Sequence, residues 1–151
     1  QTIETADPTN IVIFGVTGDL SKRKLMPALV RMLCSGLVHT DSKIIGVVNN
    51  RTEKVWINLV REGMQEFSPE IIEDESRWKK FLARLIMVPG DLGDEATYQR
   101  LSDALVELGG KKNAMFYCAI PPSWYRTVTE GLNKAGLADE DEGYRRLVIE
   151  K

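Results

Sequence analysis

"IVIFGVTGDLSKRKLMP", Ile11 to Pro27, joins a β-branched apolar run to a glycine turn and then to three consecutive cations, Lys22, Arg23 and Lys24. Asn10–Gly15 reads as a buried strand, apolar on both faces and ending on glycine. A helix is predicted from Asp19, with Leu25, Leu29, Met32 and Leu33 on one face and Pro27 confined to its first turns. A helix start carries partial positive charge, so exposed cations there cost roughly 0.3–1 kcal/mol each. Their presence makes sense if something negative binds at that spot. In Gly15-Val16-Thr17-Gly18, Gly15 would allow a tight turn and Gly18 a close backbone approach to a pyrophosphate. Exposed N–H groups and the helix dipole would then hold the anion. The pattern is G-x-x-G without the full G-x-G-x-x-G, so a plain glycine turn stays open as the alternative. Lys22, with Arg23 or Lys24, would neutralise the phosphate; a solvated helix face is the alternative for all three and the better reading for Lys24.

The same alternation continues along the chain. "KIIGVVN", Lys43 to Asn49, is a second buried strand. Trp56, Leu59, Val60, Met64 and Phe67 then repeat at helical spacing, and Pro69 ends that helix. A short helix with Trp78, Phe81, Leu82 and Leu85 inward runs into a third strand, "LIMVPGD". A helix with Tyr98, Leu101, Leu105 and Leu108 inward follows. "NAMFYCAIPP" is the fourth strand, stopped by Pro121 and Pro122. Ser123 is a candidate cap for a helix bearing Trp124, Val128, Leu132 and Ala135. "RRLVIEK" is the fifth strand, preceded by an acidic loop around "ADEDEGYRR", Ala138 to Arg146.

Strands that alternate with helices and are apolar on both faces indicate an α/β fold. It is expected to be a Rossmann-type doubly wound parallel sheet, with helices on both faces. Ligands of such sheets lie outside the carboxyl ends of the strands, where the strand order reverses. Gly15–Lys22, Asn49–Arg51, Ala119–Tyr125 and Lys151 fall at that edge.

The chain has 151 residues, 43% of them hydrophobic, which is enough for one domain and too few for two. A net charge of −2 gives no global attraction to nucleic acid or to an anionic membrane. No run is apolar for long enough to span a bilayer, and the polar start is unlike a signal peptide. Cys34 and Cys118 lack a C-x-x-C spacing and read as reduced core residues of a cytoplasmic protein. One histidine and two scattered cysteines do not make a zinc set, so no metal is expected. A P-loop is excluded because no G-K-[ST] follows the glycines.

"IVIFGVTGDLSKRKLMPAL" resembles the G-A-x-G-D-L-A-x-R-K-L-x-P-x-L signature of glucose-6-phosphate dehydrogenases. "MFYCAIPPSWY" is similar to the family's F-Y-x-A-x-P-P-x-x-Y, "RRLVIEK" to its R-x-x-x-E-K, and "GDLGDEATYQRL" to the segment between them. The motifs stand in the family's order and cover essentially the whole chain. The resemblance implies that residues 1–151 are the NAD(P)-binding domain of an oxidoreductase in the pentose phosphate pathway. That enzyme transfers hydride from C1 of glucose 6-phosphate to NADP, giving 6-phosphogluconolactone. Nothing here matches the family's R-I-D-H-Y-L-G-K motif, so the substrate and dimerisation domain and its histidine base are expected beyond Lys151. His39 lies away from the ligand edge. The chain alone is therefore expected to bind nucleotide without catalysis, and the full-length enzyme to be a cytoplasmic homo-oligomer.

Residue by residue, the resemblance implies that Gly15, Val16, Thr17, Gly18, Asp19, Leu20, Ser21 and Lys22 form the pyrophosphate loop. Ala119, Ile120 and Pro121 would line the nicotinamide half by backbone approach. Tyr125 falls where the family contacts coenzyme, and a packed helix-face aromatic is its other reading. Lys151 matches a lysine that reaches both substrate and coenzyme, and a frayed terminal lysine is its alternative. The coenzyme preference is set at the end of the second strand, "GVVNNRTEK", where no acid would repel a 2′-phosphate. The family's first arginine is replaced by Asn49, but Arg51 matches the second, and a guanidinium fork suits phosphate. NADP is expected over NAD, with NAD possible. Two rivals are another NAD(P)-dependent oxidoreductase and a non-catalytic nucleotide-sensing module. Against a short-chain reductase, none of Tyr98, Tyr117, Tyr125 and Tyr144 has a lysine four residues on.

Overall fold

A computed structural model describes residues 9–15, 43–48, 53–67, 69–108, 113–118, 120, 122–137 and 145–149. Five strands are formed there: β1 (Thr9–Phe14), β2 (Ile44–Val48), β3 (Leu85–Pro89), β4 (Asn113–Cys118) and β5 (Arg145–Ile149). All neighbouring pairs are parallel, in the order β3-β2-β1-β4-β5. The helices are α1 (Glu53–Phe67), α2 (Pro69–Glu73), α3 (Glu75–Leu82), α4 (Glu95–Glu107) and α5 (Tyr125–Lys134). The doubly wound α/β expectation holds.

Period-two alternation along each strand divides the apolar residues between two cores. Ile11, Ile13 and Ile44 face Val60, Met64, Trp78 and Phe81 of α1 and α3. Val12, Phe14, Ile45, Val47, Phe116 and Cys118 face Tyr98, Leu101 and Leu105 of α4 and Val128 and Leu132 of α5. Phe14 lies at the centre of the second core, its ring 6.4 Å from that of Phe116 and 6.3 Å from that of Tyr98. The handedness rule explains the division. From β2 to β3 the chain winds outward in one direction, so α1–α3 cover one face. From β3 it returns across the sheet to β4 and continues outward to β5, which puts α4 and α5 on the other face.

Several local expectations are corrected. Leu85 opens β3 instead of ending a helix, because the chain leaves α3 at Ala83–Arg84. Pro69 does follow the end of α1, but it also starts α2, where its missing N–H costs nothing. Asp74 then caps α3, its carboxylate accepting from the Ser76 and Arg77 amides at 3.0 and 3.3 Å. β4 stops at Cys118, before the prolines, since proline cannot donate to the ladder. Ser123 is not a cap: Pro122–Trp124 form a 3₁₀ turn, and Trp124 is the N-cap of α5, with no side-chain bond to the helix. The helix expected from Asp19, together with His39, Cys34 and residues 138–144, lies outside the described residues.

The far end of α5 is closed by a glycine. Gly136 has φ 73°, its amide donates to Asn133 O at 3.1 Å and that of Leu137 to Leu132 O at 2.9 Å. Leu137 is buried against the second core, which completes a Schellman motif.

One buried polar group conflicts with its surroundings. Asn10 is only 4% exposed and its Nδ2 has no partner. By alternation it shares a face with Val12 and Phe14. An unpaired buried amide costs roughly 1–3 kcal/mol. Asn10→Val is expected to raise stability by about 1–2 kcal/mol, read as a higher urea midpoint at unchanged m-value. A midpoint that stays put or falls would refute this.

Candidate functional site

The winding direction reverses between β1 and β4, which are adjacent, with Phe14 in register with Cys118. In doubly wound sheets a reversal of this kind marks the place, outside the carboxyl ends of the strands, where ligands bind in a crevice. Gly15 is the first residue past β1 at this point, with φ 79°. An L side chain in that region crowds the following carbonyl and costs roughly 1–2 kcal/mol. The glycine reading of the opening stretch is thus a backbone requirement at the crevice itself.

On the β4 side, Ile120 is half-buried in the bend after the strand, and Tyr125 is half-buried at the first turn of α5. Both pack against the second core. The Tyr125 carbonyl accepts from the Thr129 hydroxyl at 2.7 Å. Between them in sequence stands Trp124, which spacing groups with Val128, Leu132 and Ala135 on the helix. It is 39% exposed, because it belongs to the 3₁₀ turn and not to the helix's inner stripe. Of the expected site residues, the structure therefore brings Gly15, Ile120 and Tyr125 to one edge. Val16, Thr17, Gly18, Asp19, Leu20, Ser21, Lys22, Asn49, Arg51, Ala119, Pro121 and Lys151 lie outside the described residues.

The sequence reading missed the β3–α4 turn, which continues the same edge beyond β2. Asp94 caps α4 through the Ala96 amide at 3.0 Å, and Asp91 Oδ1 accepts from Gly93 N at 3.1 Å. Three side chains of α4 pin the turn from behind. The Thr97 hydroxyl donates to Asp91 O at 2.7 Å, the Tyr98 hydroxyl to Leu92 O at 2.6 Å, and Arg100 Nε to Pro89 O at 2.9 Å. The available signal was a threonine and a tyrosine one turn into a helix that follows P-G-D-L-G-D.

The nucleophilic groups under this edge are inert. Burial pushes the Tyr98 phenol up to about 12, helped by Cys118 and Asp91, and pushes the Cys118 thiol up to about 11. Both stay protonated near neutrality, and Cys118 is a free thiol. The described part of the edge thus consists of backbone groups and the Asp91 and Asp94 carboxylates, which are engaged with the amides of Gly93 and Ala96. Gly15, in its left-handed conformation, stands at the switch point where doubly wound sheets bind dinucleotides.

A family model described as "Glucose-6-phosphate dehydrogenase, NAD binding domain" matches residues 12–151. The chain belongs to the glucose-6-phosphate dehydrogenase family. It is 36% identical over 152 residues to the glucose-6-phosphate 1-dehydrogenase of Buchnera aphidicola subsp. Schizaphis graminum, covering 99% of this chain and 29% of the relative. It is 30% identical to that of Leuconostoc mesenteroides, covering 95% and 29%. The chain thus spans about three-tenths of the length of these curated relatives. Among solved structures, a glucose-6-phosphate dehydrogenase in complex with its substrate glucose-6-phosphate superposes with a TM-score of 0.81 at 26% identity. That match covers 100% of this chain and 32% of the other. The glucose-6-phosphate 1-dehydrogenase from Mycobacterium avium gives 0.79, also at 26% identity, over 96% and 30%. The dehydrogenase resemblance read from the three motifs is therefore upheld at the level of family and fold.

Proposed function

We propose that this chain is the coenzyme-binding part of a glucose-6-phosphate 1-dehydrogenase that uses NADP. The observation that carries the reading is the left-handed Gly15 at the β1/β4 reversal, in a chain of this family. When bound, the coenzyme supplies hydride acceptance from C1 of glucose 6-phosphate. The chain's own work is positioning, which holds the reacting ring in one place and removes orientational freedom before reaction. Backbone N–H groups of Gly15, Val16, Thr17, Gly18, Asp19, Leu20 and Ser21 hold the pyrophosphate, and Lys22 offsets its charge. Asn49 and Arg51 take the adenosine ribose and its 2′-phosphate. Ala119, Ile120, Pro121 and Tyr125 border the nicotinamide half, and Lys151 reaches coenzyme and sugar. No proton acceptor for the sugar hydroxyl is assigned to this chain, so it binds without turning over.

NADP preference rests on Arg51, because a guanidinium pairs with phosphate in two parallel bonds and no carboxylate competes at that strand end. Arg51→Ala is expected to weaken NADP binding roughly tenfold or more while leaving NAD within about twofold. Calorimetric titration of the unsubstituted chain and of Arg51→Ala with both coenzymes at one salt concentration reads this out. An unchanged NADP affinity would remove Arg51 from the role.

A further inference from the structure

Trp124 is the residue of the crevice rim that the coenzyme reading leaves without a part. Helix α5 joins parallel strands β4 and β5, so it runs back against them and begins at the carboxyl edge. Trp124 is its N-cap. The chain reaches it from Cys118, whose register partner is Phe14 next to Gly15, so Ile120 and Pro122–Trp124 follow the β4 side of the switch point. In doubly wound sheets the two halves of the sheet take the two mononucleotides. The β4 side is the half remote from β2, where the adenosine ribose is assigned.

Among the residues whose burial is described, two large apolar side chains are exposed. One is Val106, at the far end of α4. The other is Trp124, although its neighbours Ile120 and Tyr125 pack onto the core. Its backbone is fixed by the 3₁₀ turn and by the start of α5, so presenting the ring costs little further ordering. The cation two residues on, Arg126, is occupied by Glu130 at 3.0 Å.

We propose that Trp124 is a further coenzyme-contacting residue, offering its indole to the nicotinamide half and favouring the oxidised form. The inference rests on the coenzyme reading above. The oxidised nicotinamide ring carries a positive charge and the reduced ring does not. Indole is the strongest aromatic partner for a cation. The contact therefore discriminates between redox states, which plain apolar cover would not do.

The test is calorimetric titration of the full chain with NADP and with NADPH, with tryptophan emission recorded in parallel. Trp124→Ala is expected to weaken oxidised-coenzyme binding about threefold to tenfold and reduced-coenzyme binding less than twofold. In Trp124→Phe, which keeps an aromatic ring, binding heat persists but the emission quench on adding NADP is smaller than in the unsubstituted chain. Equal losses for both redox forms, or an undiminished quench in Trp124→Phe, would overturn the role of Trp124 alone. No saturable heat with the unsubstituted chain would overturn the coenzyme reading, and this inference with it.

Discussion

Replacement of Gly15 by valine is expected to abolish measurable dinucleotide binding, or to weaken it by at least about tenfold, while the chain still folds. The cause is conformational. Gly15 sits at φ 79°, directly after β1 and beside β4, and a β-branched side chain is strongly disfavoured there. The substitution would push the backbone toward negative φ and turn the following N–H groups away from the crevice. A control separates this from a general loss of stability. Gly136 has φ 73°, and a Cβ built there meets nothing within 4 Å. Gly136→Ala should therefore carry a backbone cost of roughly 1–2 kcal/mol, yet leave coenzyme affinity unchanged. Equal binding losses in both variants, or retained binding in Gly15→Val, would contradict a specific role for the turn.

The second large effect is on stability. A Cβ on Gly131 would collide with Cε2, Cζ and Cδ2 of the Tyr98 ring. That ring cannot yield easily: it is 2% exposed, and its hydroxyl is tied to Leu92 O at 2.6 Å. Gly131→Ala gains about 1 kcal/mol of helix propensity, but overpacking costs typically 1–3 kcal/mol. A net loss is expected, and Gly131→Val should lose more, since it adds more volume with a smaller propensity gain. For a chain of this size each kcal/mol lowers Tm by roughly 2–4 °C. Tyr98→Leu should partly rescue Gly131→Ala, giving a non-additive double-mutant cycle. Additive losses would show that the two residues do not meet.

Much of the fold was legible because buried parallel strands are apolar on both faces. "IVIF", "KIIGVV" and "MFYC" therefore stand out against the 3.6-residue pattern of the helices. Boundaries failed where proline and backbone geometry override pattern. Leu85 belongs to β3 because the turn at Ala83–Arg84 ends α3 earlier than apolar spacing suggests. Trp124 fits the helical stripe of Val128 and Leu132 by spacing, but Pro122 starts a tighter turn that rotates it outward. At the site, the glycine turn was readable because positive φ restricts residue choice. The pinning of the β3–α4 turn was not, because it depends on side chains of one helix reaching carbonyls of the preceding loop. Periodicity carries no information about such bonds. The family motifs located Tyr125, whose half-burial accommodates both readings made of it.

The most direct test of the central claim is calorimetric titration of the unsubstituted chain with NADP, then NAD, at one fixed salt concentration. The account predicts saturable one-site binding, tighter for NADP. The absence of saturable heat with either coenzyme would contradict it.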